Sequence, residues 1–168
     1  MFSGQGSQKT GMGLSLAQCS SAAADVFSCA SEVLNFDVLK LCSDETSSKL
    51  FQTEFAQPAI VAVSIAAFKA LTQFDVEFQA VVGHSLGNTV ALIASNVVSL
   101  EDGFKIVQAR AHDMQLCEKN SEGAMCAIIG ANINEIKLAC QNASDYVTCA
   151  NFNSPTQVVI SKAKTAVD

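Results

Sequence analysis

The chain has 168 residues, 49% of them hydrophobic and only 15% charged, with a formal net charge of −6. That length supports a single domain with a sizeable core, and the balance of apolar to charged residues excludes a disordered chain. The negative charge gives no footing for nucleic acid or for an anionic membrane surface.

The N-terminus, "MFSGQGSQKT", has neither a basic nor an apolar segment of the kind that targets a chain for secretion. Glycines cluster at Gly4, Gly6, Gly11 and Gly13, and a helical pattern runs from Leu14 to Leu34. "CSDETSSKL" reads as a loop leading into a short helix. "QPAIVAVSIAAFKALTQF" reads as a buried helix with Pro58 in its first turn, where a missing N–H is tolerated. Its most apolar run, Ala59 to Phe68, is too short to span a bilayer.

"FQAVV", Phe78 to Val82, predicts a buried strand. After it comes the tight sequence "GHSLG", then a helix in "NTVALIASNVV" and a second in "SLEDGFKIVQARAHDMQLC", with Ser99 ahead of Asp102 as a capping signal. Strand, glycine turn and helix in succession define an α/β core. Past Gly123 the pattern changes to strand ("AMCAIIGA"), helix ("NINEIKLACQNA") and two strands ("YVTCANFN", "QVVISKA") joined at Ser154-Pro155. That β-α-β-β order is the first part of a ferredoxin-like unit, and "TAVD" is expected to begin its next helix. The division expected is 1–122 for the larger α/β part and 123–168 for the smaller.

Seven cysteines, an odd number with no C-x-x-C pair, argue against a metal site and against a disulfide framework. Most are expected to pack as small hydrophobes in a reducing compartment, the cytosol.

Two residues stand out chemically. Ser85 lies between glycines, after a predicted strand and before a predicted helix, which is the setting of a nucleophile elbow. A structural glycine turn explains the same residues equally well. His84 is adjacent on the turn and points elsewhere, and His112 shares a polar helix face with Lys105 and Gln108, so neither is a convincing base. Arg110, the single arginine, shares a helix face with Val107, Met114 and Cys117. A guanidinium there needs an anion, either an internal Asp or Glu or the carboxylate of a substrate.

Taken together, "GQGSQ" at Gly4–Gln8, "QPA" at Gln57–Ala59, "GHSLG" at Gly83–Gly87, Arg110 with Met114 and Gln115, "GAM" at Gly123–Met125 and "NFNSPTQVVI" at Asn151–Ile160 resemble one family. It is that of malonyl-CoA:acyl-carrier-protein transacylase and the acyltransferase domains of fatty-acid and polyketide synthases. The resemblance implies an α/β-hydrolase-like acyltransferase core with an inserted ferredoxin-like small subdomain, both incomplete in this chain. It implies transfer of malonyl from coenzyme A to the phosphopantetheine thiol of acyl carrier protein through an ester on Ser85, with no cofactor and no metal. The N–H groups of Gln5 and Leu86 are expected as the oxyanion hole, Arg110 as the carboxylate ligand, and Gln57, His84 and Asn153 as pocket residues.

The sequence departs from the family pattern at Ser3, where proline is usual, and at Asn88, where glutamate is usual. The family's catalytic histidine belongs beyond the small subdomain, so the resemblance implies an N-terminal fragment. A serine esterase of α/β-hydrolase type accounts for GHSLG alone, and a non-catalytic coenzyme A or carrier-protein binder is the third reading.

Overall fold

Helix α4, Thr53–Thr72, carries the longest apolar run of the chain, and its buried residues occupy most of its circumference. In this computed structural model, which describes residues 1–74, 76–120 and 123–163, α4 is the central element of the first of two compact units, Met1–Gln115 and Leu116–Asp168. Around it stand α1 (Leu14–Cys19), α2 (Ser21–Leu34), α3 (Val38–Ser43), a 3-10 turn (Ser48–Phe51), α5 (Gly87–Ala94) and α6 (Leu100–Asn120). Ala23, Val26, Phe27 and Ala30 of α2 are buried in one core with Ala59, Ile60, Ala62, Ile65 and Ala66 of α4. The alanines let the two backbones approach closely, while Phe27 and Ile65 fill the remaining volume.

The helix expected over Leu14–Leu34 is two helices. Ser20 leaves the helical region at φ −138°, ψ 120°, and its hydroxyl accepts from Ala23 N at 3.2 Å, capping α2. A side chain able to cap has here outcompeted continuation of the helix. The start expected at Pro58 is also corrected: α4 begins at Thr53 and holds Pro58 inside it. Tertiary partners support the extra turn, since Thr53 and Gln57 both hydrogen-bond Gln5. The cap expected at Ser99 forms, with Asp102 N donating to its hydroxyl at 3.1 Å.

Phe78–Val82 is not a buried strand. Among the described residues its only ladder contact is an isolated parallel bridge at its end, between Phe2 and Gly83, with Phe2 N donating to Val82 O at 2.8 Å and His84 N to Phe2 O at 3.1 Å. Phe78 and Val82 are exposed. A strand exists through its neighbours' hydrogen bonds, and among the described residues only the short N-terminal segment supplies them.

The second unit follows the expected β-α-β-β order: β1 (Gly123–Ile129), α7 (Ile133–Asn142), β2 (Val147–Ser154) and β3 (Gln157–Ala163). The sheet order is β1-β3-β2, antiparallel throughout, with Met125 opposite Ser161 and Phe152 opposite Val158. The helix expected to begin in "TAVD" lies outside the described residues. All seven cysteines are free thiols, but Cys42 alone is fully buried, and Cys19, Cys117 and Cys126 are exposed. Four of the seven, Cys29, Cys42, Cys140 and Cys149, are buried or half-buried, and the three exposed ones lie on α1, α6 and β1.

Candidate active site

The turn from Val82 to Asn88 is made by crowding. A Cβ on Gly83 would stand 1.9 Å from Gly87 C, and one on Gly87 would stand 2.4 Å from Phe2 O. Only two bare backbones fit at those points. Between them Ser85 adopts φ +51°, the left-handed region that a serine enters only under constraint. Gly87 N bonds His84 O at 2.9 Å and Asn88 N bonds Ser85 O at 3.1 Å, so the chain passes directly into α5. Leu86 is fully buried, while Ser85 and His84 on either side of the bend are exposed. The buried leucine anchors the turn and its neighbour is held out, which is the shape of a nucleophile elbow.

A run of side-chain hydrogen bonds ties this elbow to the N-terminal glycine turn. Arg110 Nη2 donates to Ser85 Oγ at 3.2 Å, and Arg110 Nη1 donates to Gln57 Oε1. Gln57 Nε2 donates to Gln5 Oε1 at 3.1 Å, and Gln5 Nε2 donates to Thr53 Oγ1 at 2.9 Å. The polarity of this run is set at one end. A guanidinium can only donate, so Gln57 must present its oxygen to Arg110 and its nitrogen to Gln5. The same orientation is then forced on Gln5. Gln57 is fully buried and Thr53 nearly so, which holds the run in low dielectric.

Arg110 is half-buried, and burial lowers its pKa from the usual arginine value. It stays charged in any case. Among the described residues no Asp or Glu pairs with it. Of the two partners open from the sequence, the internal carboxylate is therefore not found, and the guanidinium keeps N–H groups available for an anion brought from outside. The helix face expected around it is narrower than the pattern implied: Val107 is buried, whereas Met114 and Cys117 are exposed. Met114 borders the polar cluster instead, its sulfur accepting from Gln57 Nε2 at 3.2 Å. His112 lies on the surface, its Nδ1 3.8 Å from Glu54 Oε1.

The structure thus joins four of the residues singled out in the sequence, Gln5, Gln57, Ser85 and Arg110, in one hydrogen-bonded group. Leu86 follows the serine, and among the described residues neither its N–H nor that of Gln5 donates a hydrogen bond. His84 is exposed at the bend, with its Nδ1 facing Gly4. Asn153 belongs to β2 of the second unit, where its amide donates to Gln157 Oε1 at 3.0 Å. Arg110 is the only described side chain that hydrogen-bonds Ser85 Oγ.

One contributor, Thr53, was not legible as a site residue. Thr53 precedes Gln57 by one helical turn and so shares its face. Gln115, quoted beside Arg110 in the sequence, accepts from Glu54 N at 3.4 Å. The spacing was a usable signal for Thr53 once α4 was known to start there.

The fold and this site define a class. Residues 1–168 match the acyl transferase domain family, and the chain belongs to it. It is 34% identical over its whole length to a malonyl CoA-acyl carrier protein transacylase of Staphylococcus aureus, and 37% identical to one of Haemophilus influenzae. Each match takes up 55% of the relative, so the chain spans about half the length of the curated relatives it matches. Among solved structures, an acyl carrier protein S-malonyltransferase of Vibrio cholerae superposes with a TM-score of 0.91 at 41% identity, over 99% of this chain and 55% of the other. A malonyl CoA-acyl carrier protein transacylase of Coxiella burnetii gives 0.93 at 38% identity, over 99% and 54%. A type II polyketide-synthase acyl-carrier protein in complex with its malonyl-transacylase gives 0.91 at 35% identity.

Proposed function

We propose that this chain carries the acylating half of a malonyl transfer from coenzyme A to an acyl carrier protein, in fatty-acid or polyketide synthesis. The observation that carries the reading is the hydrogen bond from Arg110 to Ser85 Oγ, which sets beside the elbow serine a cation that pairs with no carboxylate among the described residues. Ser85 Oγ attacks the thioester carbonyl. The oxyanion that forms is met by the N–H groups of Gln5 and Leu86, and its collapse expels the coenzyme A thiol, which takes up the serine proton. The phosphopantetheine thiol of the carrier protein then attacks the ester and regenerates Ser85. No cofactor enters either step.

Arg110 receives the free carboxylate of malonyl, exchanging its bond to Ser85 for a charge-assisted pair. Gln57 holds the guanidinium, while His84 and Asn153 are the remaining pocket residues that the family pattern implies. The general base that the family pattern implies is a histidine other than His84 and His112. The odd cysteine count with no C-x-x-C pair fits a cytosolic setting.

The test is single-turnover loading, read by intact-protein mass after incubation with malonyl-CoA or acetyl-CoA. A malonyl adduct is expected on Ser85 and is absent from Ser85→Ala. Arg110→Ala should slow malonyl loading by about tenfold to a hundredfold, the worth of a lost charge-assisted pair, while acetyl, with no carboxylate, loses far less. An equal loss for both donors makes Arg110 a structural partner of Ser85 and overturns the reading.

A further inference from the structure

We infer that Cys140 and Cys149 form a dithiol site that low-molecular-weight disulfides convert reversibly to an intramolecular disulfide fastening α7 to β2. Cys140 lies in the last turn of α7 and Cys149 near the start of β2, and their sulfurs stand 3.9 Å apart. A disulfide holds its sulfurs at about 2.05 Å, so forming it requires the two sulfurs to approach by roughly 2 Å. Both side chains are half-buried, so a small reagent can reach a sulfur without unfolding the unit. Burial and the contact with Cys149 both raise the pKa of Cys140. Cys19, Cys29, Cys42 and Cys126 have no neighbouring thiol among the described contacts.

The exchange balances. One thiolate attacks the S–S bond of the reagent RSSR, forming a mixed disulfide and releasing RS⁻. The second thiolate attacks the protein sulfur of that mixed disulfide and expels the second RS⁻. The sum is two protein thiols and RSSR giving one protein disulfide and two RSH; the cysteines are oxidised and the reagent reduced. The second step is intramolecular and needs little motion. The bond would tie the helix to the strand that also carries Asn153.

The folded chain is treated with oxidised glutathione, quenched in iodoacetamide and digested. Both cysteines fall on one tryptic peptide, Leu138–Lys162, and Tyr146 offers a chymotryptic cut between them. In the wild type this peptide should become two hydrogens lighter, escape alkylation and stay joined after the cut, at least about tenfold faster than any other cysteine pair forms. A reducing thiol should restore both alkylation sites. Cys140→Ser and Cys149→Ser should each instead accumulate glutathione on the remaining cysteine, the trapped first step. Two thiols that both remain alkylatable, glutathione retained on both in the wild type, or preferential pairing with a third cysteine would each overturn the assignment.

Discussion

The two glycine turns that meet at the site are built on opposite grounds. In the elbow, space decides: no Cβ fits at Gly83, because Gly87 C would lie 1.9 Å away. In the N-terminal turn, backbone angle decides: Gly6 sits at φ +99°, and a Cβ placed there would meet nothing within 4 Å. The first turn is locked by packing, Gly83 on Gly87 and Gly87 on the Phe2 backbone. The second is open, and the side chain of Gln5 tethers it to Thr53 and Gln57. The elbow fixes the Ser85 backbone by close packing, with the Phe2 backbone against it. The turn offering the Gln5 N–H is fixed from α4 instead, so its geometry depends on the same hydrogen-bonded group that holds Arg110.

The sharpest way to break this contrast is Gly83→Ala. The added methyl meets backbone, which cannot rotate aside as a side chain can. Core overpacking of this kind costs about 1–3 kcal/mol and more where the neighbours are rigid; the upper end is expected here. Thermal unfolding should show a loss of that size or no folded protein. A variant that melts like the wild type would mean the elbow is looser than described.

Gly6→Ala should do less. There is room for the methyl, and the penalty is that of placing an L-residue at positive φ, about 1–2 kcal/mol. The loss should be clearly smaller than for Gly83→Ala in the same melting assay. Equal losses would remove the distinction between a turn limited by space and one limited by angle.

The same contrast explains what was legible in the sequence. "GHSLG" and "GQGSQ" stand out because glycine is needed at fixed offsets, whichever ground requires it. The small β-α-β-β unit was legible because its strands find each other within a short stretch, and "QVVISKA" pairs on both sides, with β1 and with β2. "FQAVV" has similar composition and failed as a strand, since β structure belongs to the pairing and not to the segment. Helix limits were lost where a local rule met a tertiary one. Ser20 capped where periodicity continued, and Pro58 suited a helix start where Thr53 and Gln57 had partners on Gln5. The link from Arg110 through Gln57 to Gln5 could not be derived from spacing, because it joins residues 52 and 53 apart in the chain. The family resemblance pointed to those residues, but not to the order in which they bond.

The smallest effect expected is the most informative about Ser85. At φ +51° the serine pays a left-handed penalty that glycine does not. Ser85→Ala and Ser85→Gly both remove the hydroxyl and its bond to Arg110, so their difference reports the backbone alone. At an ordinary helical position glycine is less stable than alanine by about 0.5–1 kcal/mol, owing to the larger freedom of the unfolded chain. At Ser85 the sign should reverse. Relief of about 1–2 kcal/mol of left-handed strain outweighs that entropy, leaving the glycine variant ahead by roughly 0.5–1 kcal/mol. For a domain of this size that is a melting temperature about 1–4 °C higher than that of Ser85→Ala. Neither variant should take an acyl group. An alanine variant as stable as the glycine variant, or more so, would show that the turn imposes no strain at residue 85, and the serine would then have to be held in place by its side-chain partner, Arg110, and not by the elbow.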